Sequence, residues 1–595
     1  MSIGRNIIID KMIIYEFNIT KASRPAGPDH GEQVETHSSA DSRAAATARP
    51  AETLAEVEVL VVGYGPVGAA IANLLGRYGV RTLVVDKTRE LLTAPRAIAL
   101  DNEALRVLQL AGLEENDFER IAIPFVRMRS PWLGEFGRVN TLGSIDGHPK
   151  LVTFYQPDLE RALRRRMVCY AEVRTLLGAS LTGFREEAGG VVASLDLGEG
   201  RSAVVKARYL VGADGAGSLV RQLIGEQFEG ETYGEDWLIV DALEVPQPID
   251  HVEFICDHRR PTPHMCAPGG RERWEFMLRP GETRQEMEGE ARIRELLAPW
   301  GAPEQMNIER KAVYRFHARV ARTFGKGHVF LAGDAAHITP PFVGQGLVAG
   351  LRDAANLCWK LAWVVRGRAA PRILDSYDQE RRPHARAMIA LAKLMGRLVM
   401  PRSAAVALLT HGLLRLLRLV PGMRARFDEL GIKPKNIFAR GLFVRGRSRS
   451  RLVRGGLLPQ GLLRGAGGGI RLSDEVLGAA LTLIGFGLDA GAALDPDCAR
   501  AFAAAGGEIV RITHCGQRLH LSGTAHWEDL QGSFLPAVVP FGWAAVVRPD
   551  RTVLHEGPAA EAGRLVRESL ALLGAPAEDP AKDQAVPVHA AARAA

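Results

Sequence analysis

The stretch Val57-Glu58-Val59-Leu60-Val61-Val62-Gly63-Tyr64-Gly65-Pro66-Val67-Gly68 sets the fold of the first half of this 595-residue chain. Val57 to Val62 is a short, apolar, β-branched run, the pattern of a buried parallel strand. Gly63, Gly65 and Gly68 follow with G-x-G-x-x-G spacing. The first glycine permits a tight turn, and the second lets a phosphate approach the backbone. The third lets a helix from about Pro66 to Tyr78 pack close to the strand. Free amides at the start of that helix attract a pyrophosphate. A second apolar strand, Arg81 to Val85, ends at Asp86 and Lys87. An acid about twenty residues past the glycines is where a ribose hydroxyl is gripped.

A second glycine-marked segment lies far downstream, Val329-Phe330-Leu331-Ala332-Gly333-Asp334-Ala335-Ala336-His337. Asp334 falls at a strand end, where a carboxylate can bind a ribityl hydroxyl. Pro340-Pro341-Phe342-Val343-Gly344-Gln345-Gly346 then opens a helix. Its amides would face a flavin ring edge, and its positive end would stabilise negative charge on the reduced ring. Between the two segments, Leu210 to Ser218 runs from a strand into Asp214-Gly215, a pair that can turn the chain sharply beside a cofactor. Held at both ends in this way, the dinucleotide is read as FAD. His337 is a candidate catalytic base, with a structural hydrogen bond inside the turn as the alternative. A simple NAD-dependent dehydrogenase does not account for Gly333-Asp334 and the helix start behind it.

The apolar content of 47% suits a globular chain of two or three domains, and the net charge of +7 is modest for this length. The Arg-rich stretch 439–454 has few interleaved aromatics, so it reads as a solvated loop and not as a nucleic-acid surface. The six cysteines form no C-x-x-C pair and no metal-ligand spacing. That pattern suits a reducing cytoplasm and no metal. No signal-peptide core occurs near the start. Residues 404–420 are apolar but broken by His411, Arg415 and Arg418, which predicts an amphipathic helix packed on the protein with no stable membrane insertion.

The expected fold is α/β. Residues 1–54 are expected to be a disordered extension, and residues 55–400 a Rossmann-like FAD-binding unit. A substrate-holding β-sheet is inserted at about 236–281. Helices are expected at 346–367 and 373–400, and a helical and loop connection at 401–465. A C-terminal module at 466–575 is expected to be thioredoxin-like without its redox cysteines, followed by a flexible tail at 576–595. Within the inserted sheet, His264, Arg273, Trp274 and Phe276 are substrate candidates, together with Tyr314 ahead of the second flavin strand. Arg273 could pair with a substrate carboxylate or form an ordinary salt bridge. Trp274 and Phe276 could line a pocket or pack the core.

These three glycine- and aspartate-marked segments resemble the fingerprints of the single-component FAD-dependent aromatic hydroxylases, the class A flavoprotein monooxygenases. Residues 95–106, Gln156-Pro157 and 356–361 place the resemblance on the branch that hydroxylates 3-(3-hydroxyphenyl)propionate. The resemblance implies that Arg96 and Gln156 lie against FAD, that Asp86 holds the adenosine ribose, and that Gly344 to Gly346 face the pyrimidine end of the ring. It implies a small aromatic substrate, O2, and NADH or NADPH acting on the flavin without a domain of its own. Hydroxylation would then proceed through a flavin C4a-hydroperoxide to a catechol. A homodimer is a further expectation, not one the resemblance supplies. Val348 departs from the family's asparagine. The alternatives are a polyketide-tailoring or other phenol-type flavin hydroxylase and, from another class, a non-catalytic flavin-binding scaffold.

Overall fold

The computed structural model describes residues 52–91, 93–422, 434–517 and 525–574. The expected tail from 576, and all but the last three residues of the expected N-terminal extension, lie outside these residues. The opening strand, Glu52–Val62, begins inside that extension, because Glu52 and Thr53 continue the parallel pairing with Ala203 and Val204.

The first sheet has eight strands, of which five are parallel, in the order Val173–Leu177, Thr82–Asp86, Glu52–Val62, Arg201–Gly212, Val329–Leu331. Residues 201–207 of the fourth strand carry an antiparallel extension through Gly190–Gly198, while residues 210–212 pair with Val329–Leu331. The strand ends Val62, Gly212 and Leu331 therefore lie side by side, and the turns that follow them converge. The helix Pro66–Arg77 packs on this sheet, and the helix Gly346–Val365 packs on that helix in turn.

Gly63 and Gly68 make the first turn possible. Gly63 has φ +104°, and a Cβ there would sit 2.4 Å from the Ala213 carbonyl oxygen. A Cβ on Gly68 would sit 1.9 Å from the Gly63 carbonyl oxygen. Around Gly65 a Cβ would meet no atom within 4 Å.

The second sheet is larger than the insertion expected at 236–281. Eight strands run in the order His337–Ile338, Asn307–Ala321, Phe228–Leu243, Arg271–Met277, Thr262–Ala267, Val252–Ile255, Phe125–Ser130, Gly134–Asn140. Asn307–Ala321 escapes a hydropathy reading because its outward positions are charged (NIERKAVYRFHARVA).

The C-terminal module carries a seven-stranded sheet. Leu481–Phe486, Gly507–His514 and Ala525–Asp529 are parallel at its centre, and Trp543–Val547 and Val553–Pro558 are antiparallel beside them. Helices Pro496–Ala504 and Ala562–Leu573 pack against it. Its hairpin tip enters the FAD-type unit. Arg548 donates to both carboxylate oxygens of Glu380 (2.8 and 2.9 Å) and to Asp550, while Lys360 Nζ and Asn356 Nδ2 donate to Glu380 (2.8 and 2.6 Å). A second tie joins Arg106 to Asp474 through two hydrogen bonds of 2.6 and 2.8 Å. Between these units, helix Ala404–Leu417 lies on the strand Gly134–Asn140, with His411 buried and stacked on Phe136.

The buried acids give stability a defined pH dependence. Burial raises the carboxyls of Glu380, Asp474 and Asp353, but the cations against each outweigh it, and all three end below the usual carboxylate range. Their contribution is therefore complete above the unfolded carboxylate value of about 4 and is lost as pH falls through the depressed folded values. We expect the thermal midpoint to drop steeply below about pH 4. A midpoint flat from pH 7 to pH 3 would show that these carboxylates are not the groups being protonated.

Candidate functional site

The converging turns open on one cavity of about 1490 Å³ between the two sheets. A single drug-sized ligand needs about 300–1,000 Å³, so this space admits a dinucleotide and a second molecule. Gly63, Gly65, Pro66, Asp86, Lys87, Arg96, Gln156, Asp214, Gly215, Asp334, Gly344, Gln345 and Gly346 all line it. Gly68, Gly333 and Pro340 do not.

Each lining group is held by its own local structure. Asp86 Oδ2 accepts from the Tyr64 amide and Oδ1 from the Thr88 amide and hydroxyl, each at 2.7 Å. Gln156 Oε1 accepts from the Arg96 and Ala97 amides at 2.8 Å, and its Nε2 donates to Glu160 at 2.8 Å. Gln156 thus fixes the loop that presents Arg96. Asp214 accepts from the Ser218 hydroxyl (2.6 Å) and the Val220 amide, so it caps the turn that it begins.

Asp334 is different: among the described residues no hydrogen bond reaches its carboxylate, which faces the cavity. Burial raises its pKa, with Arg96 and His337 opposing. An open carboxylate at a strand end and open space beside Gly65 are the two features that FAD would use, so the residues present fit the group.

His337 is not placed to act as a base. It is buried, its Nε2 lies 2.6 Å from Asp353 Oδ2, and it does not line the cavity. Asp353 also accepts from the Gly333 amide and from Arg381 Nε, and it thereby orders the Gly333-Asp334 turn. Sequence reasoning missed Asp353. The available signal was the charged pair Arg352-Asp353 inside a helix, Gly346–Val365, whose residues from Val348 to Val364 are all buried. Val348 is fully buried in the core and is absent from the cavity wall. Gln345 and Arg352 converge on Asp101, which steadies the start of that helix.

The other candidates stand apart from the cavity. His264 is stacked on Trp274 and bound to Glu272 Oε2 at 2.6 Å. Trp274 and Phe276 belong to a separate core. Tyr314 accepts from Arg310. Arg273 is committed to Asp241 (2.6 and 2.9 Å) and to the carbonyls of Pro95 and Arg96, so it anchors the Arg96 loop. Side chains alternate along a strand. With Trp274 and Phe276 in the core, Arg273 and Glu275 face the other way, and Glu275 reaches the cavity. Beyond the sheets, Pro434 to Ile437, Leu457 and Pro459 of the connecting segment complete the cavity wall.

A parallel dinucleotide sheet roofed by a second sheet over a shared chamber is the architecture of a flavin-dependent monooxygenase. A family profile described as FAD binding domain matches residues 56–392, and one described as HcaD C-terminal domain matches 455–572. A 3-(3-hydroxy-phenyl)propionate/3-hydroxycinnamic acid hydroxylase 2 of Burkholderia vietnamiensis is 36% identical over 506 residues, covering 83% of this chain and 92% of the relative. A 3-(3-hydroxy-phenyl)propionate/3-hydroxycinnamic acid hydroxylase of Comamonas testosteroni is 32% identical over 577 residues, covering 88% and 98%. Among solved structures, the flavin-dependent monooxygenase PieE in complex with FAD and substrate superposes with TM-score 0.73 at 22% identity, covering 88% of this chain and all of that one. Aklavinone-11 hydroxylase with FAD and aklavinone gives 0.67 at 23% identity, covering 87% and 99%. The chain belongs to the FAD-dependent aromatic hydroxylases. It is an FAD-dependent monooxygenase with NAD(P)H as co-substrate. No helix among the described residues is long and apolar enough to cross a membrane.

Proposed function

We propose that the chain hydroxylates a phenolic aromatic acid such as 3-(3-hydroxyphenyl)propionate to a catechol, using O2 and NADH or NADPH. The observation that carries this reading is the 36% identity to a hydroxylase of that name over 92% of its length. The cavity is consistent with it. Ile98, Phe254, Met265 and Phe342 give it apolar wall, and Lys150 and Lys435 supply cations that suit an acid.

Bound FAD supplies the oxygen-activating chemistry. Gly63, Gly65 and Pro66 would hold its pyrophosphate at the helix start, with Gly68 allowing the helix to pack. Asp86 and Lys87 would hold the adenosine ribose. Arg96, presented by Gln156, would lie against the cofactor, and Asp214-Gly215 would turn beside it. Gly333 shapes the turn that would aim Asp334 at the ribityl chain. Pro340, Gly344, Gln345 and Gly346 would present the positive helix end to the ring. The roof and the connecting segment would keep water from the reacting centre.

The C-terminal module is read as thioredoxin-like and structural, since its two cysteines, Cys498 and Cys515, are both free thiols without a C-x-x-C. A cytoplasmic homodimer completes the reading. A larger phenolic is the second reading, favoured by the volume of the cavity.

The test is NADH and NADPH oxidation by the purified flavoprotein, with and without 3-(3-hydroxyphenyl)propionate. Faster flavin reduction, with oxygen uptake matched by catechol, supports the first reading. Slow, unaffected reduction with this acid and a response to bulkier phenols transfers support to the second.

A further inference from the structure

Glu275 is an acid of the roof sheet that lines the chamber and that no side chain among the described residues claims by a hydrogen bond or ion pair. Three neighbouring buried acids in that sheet are committed. Asp241 holds Arg273 and Arg310, Glu253 holds Arg127 and Arg129, and Glu272 holds His264 and the Ile249 amide. Glu275 is 5% exposed, and among the described residues no hydrogen bond or ion pair within 4 Å reaches its carboxylate. Arg273 is two residues away on the same face, but its guanidinium is spent on Asp241 and on the carbonyls of Pro95 and Arg96. A buried carboxylate without a donor costs stability unless a ligand supplies one. Glu275 forms the chamber wall together with Ile98, Pro263 and Met265.

We propose that Glu275 accepts the substrate's phenolic proton, positioning the ring and activating it for attack. This rests on the phenolic-acid reading above. The step balances: the phenol O–H bond breaks, a carboxyl O–H bond forms, and the electron pair stays on the phenolate oxygen, where it enriches the ring. The proton later leaves from the neutral carboxyl to solvent. Burial sets Glu275 for this task, raising it to about 7, with Arg273 pulling it down, Asp241 pushing it up and Arg310 pulling it down. A base poised near the working pH is the efficient one. The charged and titratable groups on this face are Arg273 on its own strand, Asp241 on the next, and Arg310 and Tyr314 on the one beyond. His264 and Glu272 lie on the opposite face and do not enter.

The experiment compares wild type, Glu275→Gln and Glu275→Asp as anaerobic holoenzymes from pH 5.5 to 9. Ligand affinity is read from the perturbation of flavin absorbance by 3-(3-hydroxyphenyl)propionate and by 3-phenylpropionate, which lacks the hydroxyl. In wild type, affinity for the phenol should rise as pH passes through about 7, because the ionised carboxylate is the accepting form. Glu275→Gln should lose that inflection and bind the phenol about tenfold more weakly at pH 8. Glu275→Asp should restore an inflection. 3-Phenylpropionate should bind all three alike, without pH dependence over this range. Unchanged phenol affinity in Glu275→Gln, or equal weakening of both ligands, overturns the proposal. If wild type binds neither acid, the phenolic-acid reading fails separately.

Discussion

Glu380→Ala should cost roughly 3–5 kcal/mol of stability, the penalty for breaking a buried ion pair from one side. Glu380 collects Lys360, Arg548, Asn356 and the Leu442 amide in a site closed to water. Removing it strands two cations in different ways. Burial already draws Lys360 down to about 8 with Glu380 as its main opponent, so without Glu380 the amine sheds its proton and becomes neutral. Arg548 cannot do that, and it is left with Asp550 as its one carboxylate partner among the described residues, beside the Leu442 carbonyl. Because Arg548 sits at the tip of the C-terminal hairpin, the loss should appear first as separation of the module. A lower urea midpoint and earlier tryptic release of the region after about 460 are the expected readings. Glu380→Gln, which keeps the acceptor oxygen, should fall between the two. A midpoint for Glu380→Ala equal to wild type would show that the network adds nothing at this interface.

Gly65→Ala and Gly68→Ala should fail for opposite reasons. At Gly65 the backbone has φ −71° and ψ −174°, which any residue adopts, and an added methyl meets no protein atom. The apoprotein should therefore melt like wild type. The methyl would occupy the space through which a pyrophosphate reaches the helix amides. Losing two charge-assisted hydrogen bonds weakens FAD by roughly a hundredfold or more. At Gly68 the methyl would overlap the Gly63 carbonyl, and since both groups are backbone neither can swing aside. That variant should melt lower even without cofactor, by roughly 1–3 kcal/mol. Apoprotein melting and FAD titration by fluorescence quenching separate the two effects. Gly65→Ala retaining full FAD affinity would show that the phosphates do not pass over that residue.

The strand–glycine–helix segments were legible because a tight turn against a helix admits few residue types, so Gly63 to Gly68 and Gly333-Asp334 announce themselves. What escaped depended on partners distant in sequence. Asp353 acts only because Arg381 and His337 close on it, and Arg273 reads as a substrate arginine until Asp241 and the Pro95 carbonyl are seen to claim it. Glu275 was hidden by its neighbours. Trp274 and Phe276 draw attention as pocket aromatics, whereas their burial in a separate core is what turns Glu275 towards the chamber. The roof sheet was underestimated because its outer strands carry charge on their solvent face and look like loops.

The wall that Pro434 to Ile437, Leu457 and Pro459 contribute to the cavity bears on how this scaffold can be re-engineered. A chimera cut near residue 400 would import a foreign wall along with a foreign tail, and its ligand preference would drift even with every cofactor contact intact. Directed evolution aimed at new aromatics could exploit the same stretch, since it touches the chamber without belonging to either sheet. Diversity placed there alters the shape of the room while the beams that carry the roof stay untouched.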